Sequence, residues 1–250
     1  MESLPEPFAA ALAETLDALR ADAQVEAVFL GGSLALGLVS KRSDLDLVVI
    51  KSTDVQVRER YVRYVGQVQV QVIAGPPRQF DIWLEKDRPW GTVLRQMADG
   101  RLLFDRSGLG AHYRSLAQDV VAKGLEPMTP QQIHSRRFLL TELLDDVADC
   151  TDDPALARFL MATGLSFLVE TAFLWHQRWT PKGKRALTEI KNLDPVWAQQ
   201  CHDFLMATDF ASQWTAFEAM VARALAPLGG ELREPWAAPP ERLPQAEEET

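Results

Sequence analysis

The sequence predicts an α/β domain followed by an all-α one, and three observations predict it. In the N-terminal half, short apolar runs with strand character are separated by glycine and proline turns and by helical patterns. One such run, Val28-Phe29-Leu30, ends at Gly31-Gly32-Ser33, and another begins about ten residues later at Asp44-Leu45-Asp46. Beyond Glu126-Pro127-Met128-Thr129-Pro130, the clearest linker in the chain, apolar residues recur only with helical spacing.

Residues 9–21 carry Leu12, Leu16 and Leu19 on one face of an amphipathic helix. The strand before Gly31, the glycine turn and a strand over 45–50 follow. Residues 54–64 read as either helix or strand, and the charged Arg58-Glu59-Arg60 with Gly66 after it tilts the expectation to helix. The alternation Val68, Val70, Val72 predicts a strand over 67–73, and Phe80-Asp81-Ile82-Trp83-Leu84 a second over 79–84. The pair would form a hairpin across Ala74-Gly75-Pro76-Pro77. A helix over 90–98, a short strand at Leu102-Leu103-Phe104 and a helix over 111–123 complete the domain, assigned to residues 1–125. The second domain, 126–228, reads as helices over 131–150, 154–178, 194–206 and 211–225. From 229 to 250, prolines and the closing Glu-Glu-Glu-Thr predict an extended or disordered tail.

Strand side chains alternate faces, so Asp44 and Asp46 point one way while Leu45 and Leu47 point the other. Two adjacent carboxylates repel each other and lose hydration on burial, and a divalent cation between them removes both costs. Oxygen-only ligands suit Mg²⁺, which completes its shell with water and phosphates. The Gly31-Gly32 turn offers backbone N–H groups to an anion, with Ser33 opening a short helix. Taken singly, each element is ordinary: Gly-Gly is commonly a tight turn, and Asp-x-Asp commonly a solvated strand edge. Their order and spacing carry the signal.

Gly31-Gly32-Ser33 with Asp44-x-Asp46 resembles the signature of the polymerase-β-like nucleotidyltransferase superfamily, and the resemblance covers residues 25–110. It implies a mixed sheet bearing three acids, two on one strand and a third on a neighbour. Asp81 is the candidate third acid, with Glu85 behind it. It further implies two Mg²⁺ ions on Asp44, Asp46 and Asp81, and a nucleoside triphosphate, ATP by default, whose phosphates lie on Gly31, Gly32 and Ser33. The segment 170–184 resembles the second-domain stretch of aminoglycoside and lincosamide nucleotidyltransferases. By that resemblance Glu170 would orient or deprotonate an acceptor hydroxyl, and Lys182 or Lys184 would neutralise triphosphate charge. The alternative for Glu170 is a structural bridge to Arg158 or Arg137. The expected acceptor is a small hydroxylated molecule, an aminoglycoside-like antibiotic in the sharpest form, which would make this an antibiotic-resistance enzyme. Rival expectations are transfer to a protein or a tRNA end, as in toxin–antitoxin nucleotidyltransferases, and a catalytically silent nucleotide-binding sensor.

At 250 residues, 47% hydrophobic and 24% charged, the chain has the balance of a globular protein. A net charge of −9 argues against a general nucleic-acid binder and favours a cationic acceptor or a protein partner. The N-terminal residues lack a signal-type apolar core, and the most apolar stretch, 155–179, is interrupted by Arg158, Glu170 and His176. With Cys150 and Cys201 read as free thiols, the expected location is the cytoplasm, away from any membrane. A homodimer is compatible with the sequence. The stretch 154–178 is apolar nearly all round and predicts a buried central helix. Glu142, Asp145, Asp146 and Asp149 read as the solvated face of another helix, and the four histidines show no metal-ligand spacing.

Overall fold

The computed structural model describes residues 4–86, 91–181 and 183–237. The chain divides into two compact units at Gly124/Leu125. In the first unit the elements run α1 (Phe8–Ala21), β1 (Val25–Leu30), α2 (Gly32–Ala35), β2 (Leu45–Lys51), β3 (Glu59–Val65) and β4 (Val68–Gly75). They continue with α3 (Pro77–Lys86), α4 (Thr92–Ala98), β5 (Arg101–Asp105) and α5 (Leu109–Lys123). The strands form one mixed sheet in the order β3-β4-β2-β1-β5. β2 runs parallel to β4, and every other neighbouring pair is antiparallel.

β2 lies at the centre of this sheet, which explains its composition. Leu45, Leu47, Val48, Val49 and Ile50 are all buried. A strand covered on both faces reads as a continuous apolar run, and Asp46 is the one interruption. The core on one side is closed by α1 through Phe8 and Ala11, which pack with Val28, Leu30 and Leu47.

Two expected elements are corrected. Residues 59–65 form an edge strand, not part of a helix: Tyr61, Val62, Tyr64 and Val65 favour pleated backbone, and Gly66-Gln67 closes a two-residue hairpin onto Val68. Its position explains the misleading charge, since an edge strand with Tyr64 68% exposed has no apolar pattern to display. The second correction is larger. Residues 77–86 are helix α3 rather than the second arm of a hairpin, with Pro77 at the first helical position. Phe80 is fully buried and meets Trp83 edge-on at 5.0 Å, an i,i+3 contact, while Asp81, Ile82 and Glu85 are exposed.

The second unit contains α6 (Pro130–Asp149), α7 (Pro154–Trp175), a 3₁₀ turn (Gly183–Arg185), α8 (Ala186–Leu193), α9 (Pro195–Met206) and α10 (Phe210–Leu225). Start signals are explicit. Thr129 and Gln132 make a reciprocal capping box, and Asp153, Asp194 and Asp209 accept N–H bonds at the next three long helices. The sequence did not disclose α8, whose eight residues bury only Ile190.

α7 differs from the expected fully buried helix. Ala157, Met161, Leu168 and Phe173 enter the core, but Leu156, Phe159 and Trp175 are exposed, Phe159 by 64%. By length and composition alone α7 is long and apolar enough to cross a bilayer. Its inward face packs against α6 and α10 in this unit.

The start of the tail is fastened to the helical unit. Residues 229–236 have no regular structure, yet they are strapped to α6. Arg137 donates to the carbonyls of Gly229, Gly230 and Glu231 at 2.8–3.3 Å, Leu232 N–H donates to Thr141 Oγ1, and Leu232 is buried. Residues 238–250 lie outside the described residues.

Candidate active site at the glycine turn

The loop entering β2 is held by its own serines. Ser43 N–H donates to the Ser40 carbonyl at 3.0 Å, Ser43 Oγ accepts Ser40 N–H at 2.8 Å, and Ser43 is buried. That turn fixes the point at which Asp44 enters the sheet. Across the strand, Gly31 N–H donates to the Asp46 carbonyl at 2.8 Å, so the glycine turn continues the β1–β2 ladder.

Gly32 is where close approach becomes obligatory. Its φ is +63°, and a Cβ built there would stand 1.9 Å from Asp46 Oδ2. No other residue fits, because the space is filled by the Asp46 carboxylate and the backbone is left-handed. The turn and the second acid are thus one packed unit. Gln96, on α4, covers Gly31 closely, its Cγ 2.7 Å from the Cβ position.

Asp46 is part-buried, and its carboxylate has no hydrogen-bond partner among the described residues. Burial, and secondarily the charge of Asp44, raise its pKa from 3.8 to about 6. Asp44 has a partner: Gln71 Nε2 donates to its Oδ2. Asp44 and Asp46 therefore lie together, as their spacing implies, with a shared excess of negative charge.

The third expected acid is not with them. Asp81 stands on α3, where its Oδ1 lies 2.7 Å from the Tyr113 hydroxyl, which also reaches the Pro77 carbonyl at 2.9 Å. Burial and the adjacent Asp81 push that hydroxyl well above its ordinary pKa. The bond ties α3 to α5 and gives Asp81 a structural task. On β4, the register partner of Asp46 is Gln71, and Gln69 shares its face one pleat earlier. Among the described residues no three His, Cys, Asp or Glu side chains form a metal-binding group. A carboxylate pair with neighbouring phosphates still suits a magnesium-like cation, which commonly uses one or two protein carboxylates.

Glu170 is held by Arg136 at 2.8 Å, not by Arg158 or Arg137. The same guanidinium donates to Thr171 Oγ1 and lies 4.5 Å from the Phe167 ring centroid. Arg158 bonds Gln213, and Arg137 holds the strap. Lys184 falls in the 3₁₀ turn Gly183–Arg185, and Lys182 lies outside the described residues. Sequence reasoning missed Gln71, Gln69 and Gln96. The alternation Val68-Gln69-Val70-Gln71-Val72 signals the first two once its strand is placed beside β2.

Residues 12–99 match a family model described as a nucleotidyltransferase domain. Among solved structures the chain is similar to a nucleotidyltransferase-like protein from Exiguobacterium sibiricum 255-15. The identity is 12% and the TM-score 0.48, over 87% of this chain and 74% of that one. No curated protein sequence matches. The matched span holds the glycine turn, Asp44, Asp46 and Gln71, and the chain thus carries a nucleotidyltransferase domain at its N-terminus, followed by a mostly helical region.

Proposed function

We propose that the N-terminal unit binds a nucleoside triphosphate, ATP being the expected donor, and transfers its nucleotidyl group to a hydroxyl acceptor. The observation that carries this reading is the packing of the Asp46 carboxylate into the space left by the missing Gly32 Cβ, with Asp44 beside it. Anionic phosphates and a carboxylate pair are brought together by that arrangement, and only a cation makes them compatible. Asp44 and Asp46 would hold a divalent ion, which supplies charge neutralisation at the phosphates. The backbone N–H groups of the Gly31-Gly32-Ser33 turn would receive phosphate oxygens. In the reaction the acceptor oxygen forms a bond to the α-phosphorus, the α–β bridging bond breaks, pyrophosphate leaves, and the hydroxyl proton passes to solvent or a base. The chain's contribution is positioning in line and electrostatic preorganisation.

For the acceptor, a small hydroxylated and cationic molecule, such as an aminoglycoside-like antibiotic, is supported by the net charge of −9. Glu170 does not enter this proposal as the base, because Arg136 already engages it and it fastens α7 to α6. A protein or a tRNA end is the rival acceptor. A second reading, nucleotide binding without transfer, is favoured by one observation: the β4 residues flanking the carboxylate pair are the neutral Gln69 and Gln71. Incubation with α-labelled ATP and Mg²⁺, alone, with a small-molecule panel and with total tRNA, tests these readings together. Label on a small molecule supports the proposal, and label on protein or tRNA supports the rival acceptors. Nucleotide retained without any transfer supports the second reading.

A further inference from the structure

We infer that this site takes one divalent cation per bound nucleotide rather than two, with Gln71 setting the count. The inference rests on the nucleotide-binding reading above. β2 has two neighbours in the sheet, so the positions able to add a ligand beside Asp44 and Asp46 are few. On the β1 side stands the glycine turn, where Gly31 meets Asp46 through the backbone. On the other side the β2–β4 register sets Leu45 against Val70 and Asp46 against Gln71, which puts Gln69 and Gln71 on the face of the two acids. Both are carboxamides.

Each amide is also committed. Gln71 Nε2 donates to Asp44 Oδ2, and Gln69 Oε1 accepts from the Tyr64 hydroxyl at 3.1 Å. Of the four carboxylate oxygens in the pair, one is therefore engaged by a neutral donor and three are left. Two carboxylates of total charge −2, with three oxygens free of hydrogen bonds and phosphate oxygens completing the shell, suit a single octahedral cation. A second ion at the same pair would compete with the Gln71 bond at Asp44 Oδ2 and would find no third carboxylate grouped with the pair among the described residues. Gln71 is accordingly a positioning residue: it aims Asp44 and withholds a charge from the place where a second ion would sit.

The test uses the full chain at equilibrium dialysis with labelled Mn²⁺ and labelled α,β-methylene-ATP, a non-transferable analogue. The expected result is one Mn²⁺ retained per retained nucleotide in the wild type. Gln71→Glu and Gln71→Asp, each checked for folding by circular dichroism, are expected to retain two. Retention of two Mn²⁺ per nucleotide by the wild type overturns the inference, and so does a ratio fixed at one in both folded variants. If the wild type retains no nucleotide, the binding reading falls and takes the inference with it. A retained nucleotide with the wrong metal ratio removes the inference alone. A purely structural role for Gln71 would alter stability without changing the ratio.

Discussion

Asp46→Asn is expected to make the metal-free protein more stable at neutral pH while removing the proposed cation-dependent nucleotide binding. The folded-state pKa of Asp46 is about 6 against an ordinary 3.8, with burial as the main cause and Asp44 second. The folded protein thus holds a proton more tightly than the unfolded chain between about pH 4 and pH 6. Stability contributed by this group is fully present below that window and is lost as pH rises through it. Two pH units at about 1.4 kcal/mol each give a ceiling of roughly 3 kcal/mol. Solvent contact of a part-buried carboxylate reduces this to about 1–2 kcal/mol. Asparagine cannot ionise, so the stability difference between variant and wild type should be near zero at about pH 4 and reach its plateau above about pH 7. Thermal unfolding in EDTA across that range measures it, at about 2–4 °C per kcal/mol. Other titrating groups are common to both proteins and cancel in the difference. Mg²⁺ with nucleotide should then raise the melting temperature of the wild type and not of the variant. A variant less stable than wild type in EDTA at about pH 8 would refute the claim that Asp46 stands unneutralised at this turn.

Gly32→Ala should lower stability by about 2–3 kcal/mol, through left-handed backbone strain and a forced rotation of the Asp46 side chain. Nucleotide retention should fall at least tenfold, as read by dialysis. Asp81→Asn should leave divalent-cation binding within twofold of wild type, because its carboxylate is occupied at Tyr113; loss of cation binding would restore it as a ligand. Arg137→Ala should free residues 229–236 to protease and cost the helical unit about 2–4 kcal/mol, since three carbonyls lose their shared donor. Limited proteolysis and urea unfolding check both effects.

The glycine turn and the acid pair were legible in the sequence because their physics is local: a two-residue spacing fixes a face, and a turn needs its glycines. The central strands and nearly all the helices were legible for the same reason, with Thr129, Asp153, Asp194 and Asp209 marking helix starts. The neighbours of the acid pair on the sheet were not legible. They depend on which strand lies beside β2, a long-range fact that β3 disguised by carrying charge on an exposed edge. Phe80-Asp81-Ile82-Trp83 mimics strand alternation over so short a run. The buried Phe80 and its contact with Trp83 show the period to be helical. The bridge from Glu170 was foreseen but its partner was not: the guanidinium is Arg136, one residue from the named Arg137, and only the rotation of α6 distinguishes them.

The strap on α6 bears on the order in which the helical unit is made. Arg137 and Thr141 find their partners some 91–94 residues later in the chain. During synthesis, α6 leaves the ribosome with a guanidinium and a hydroxyl still waiting for residues 229–232. Closing so long a segment is slow relative to local helix growth. Final consolidation of this unit is therefore a late event, open to interruption by anything that seizes the exposed α6 face first.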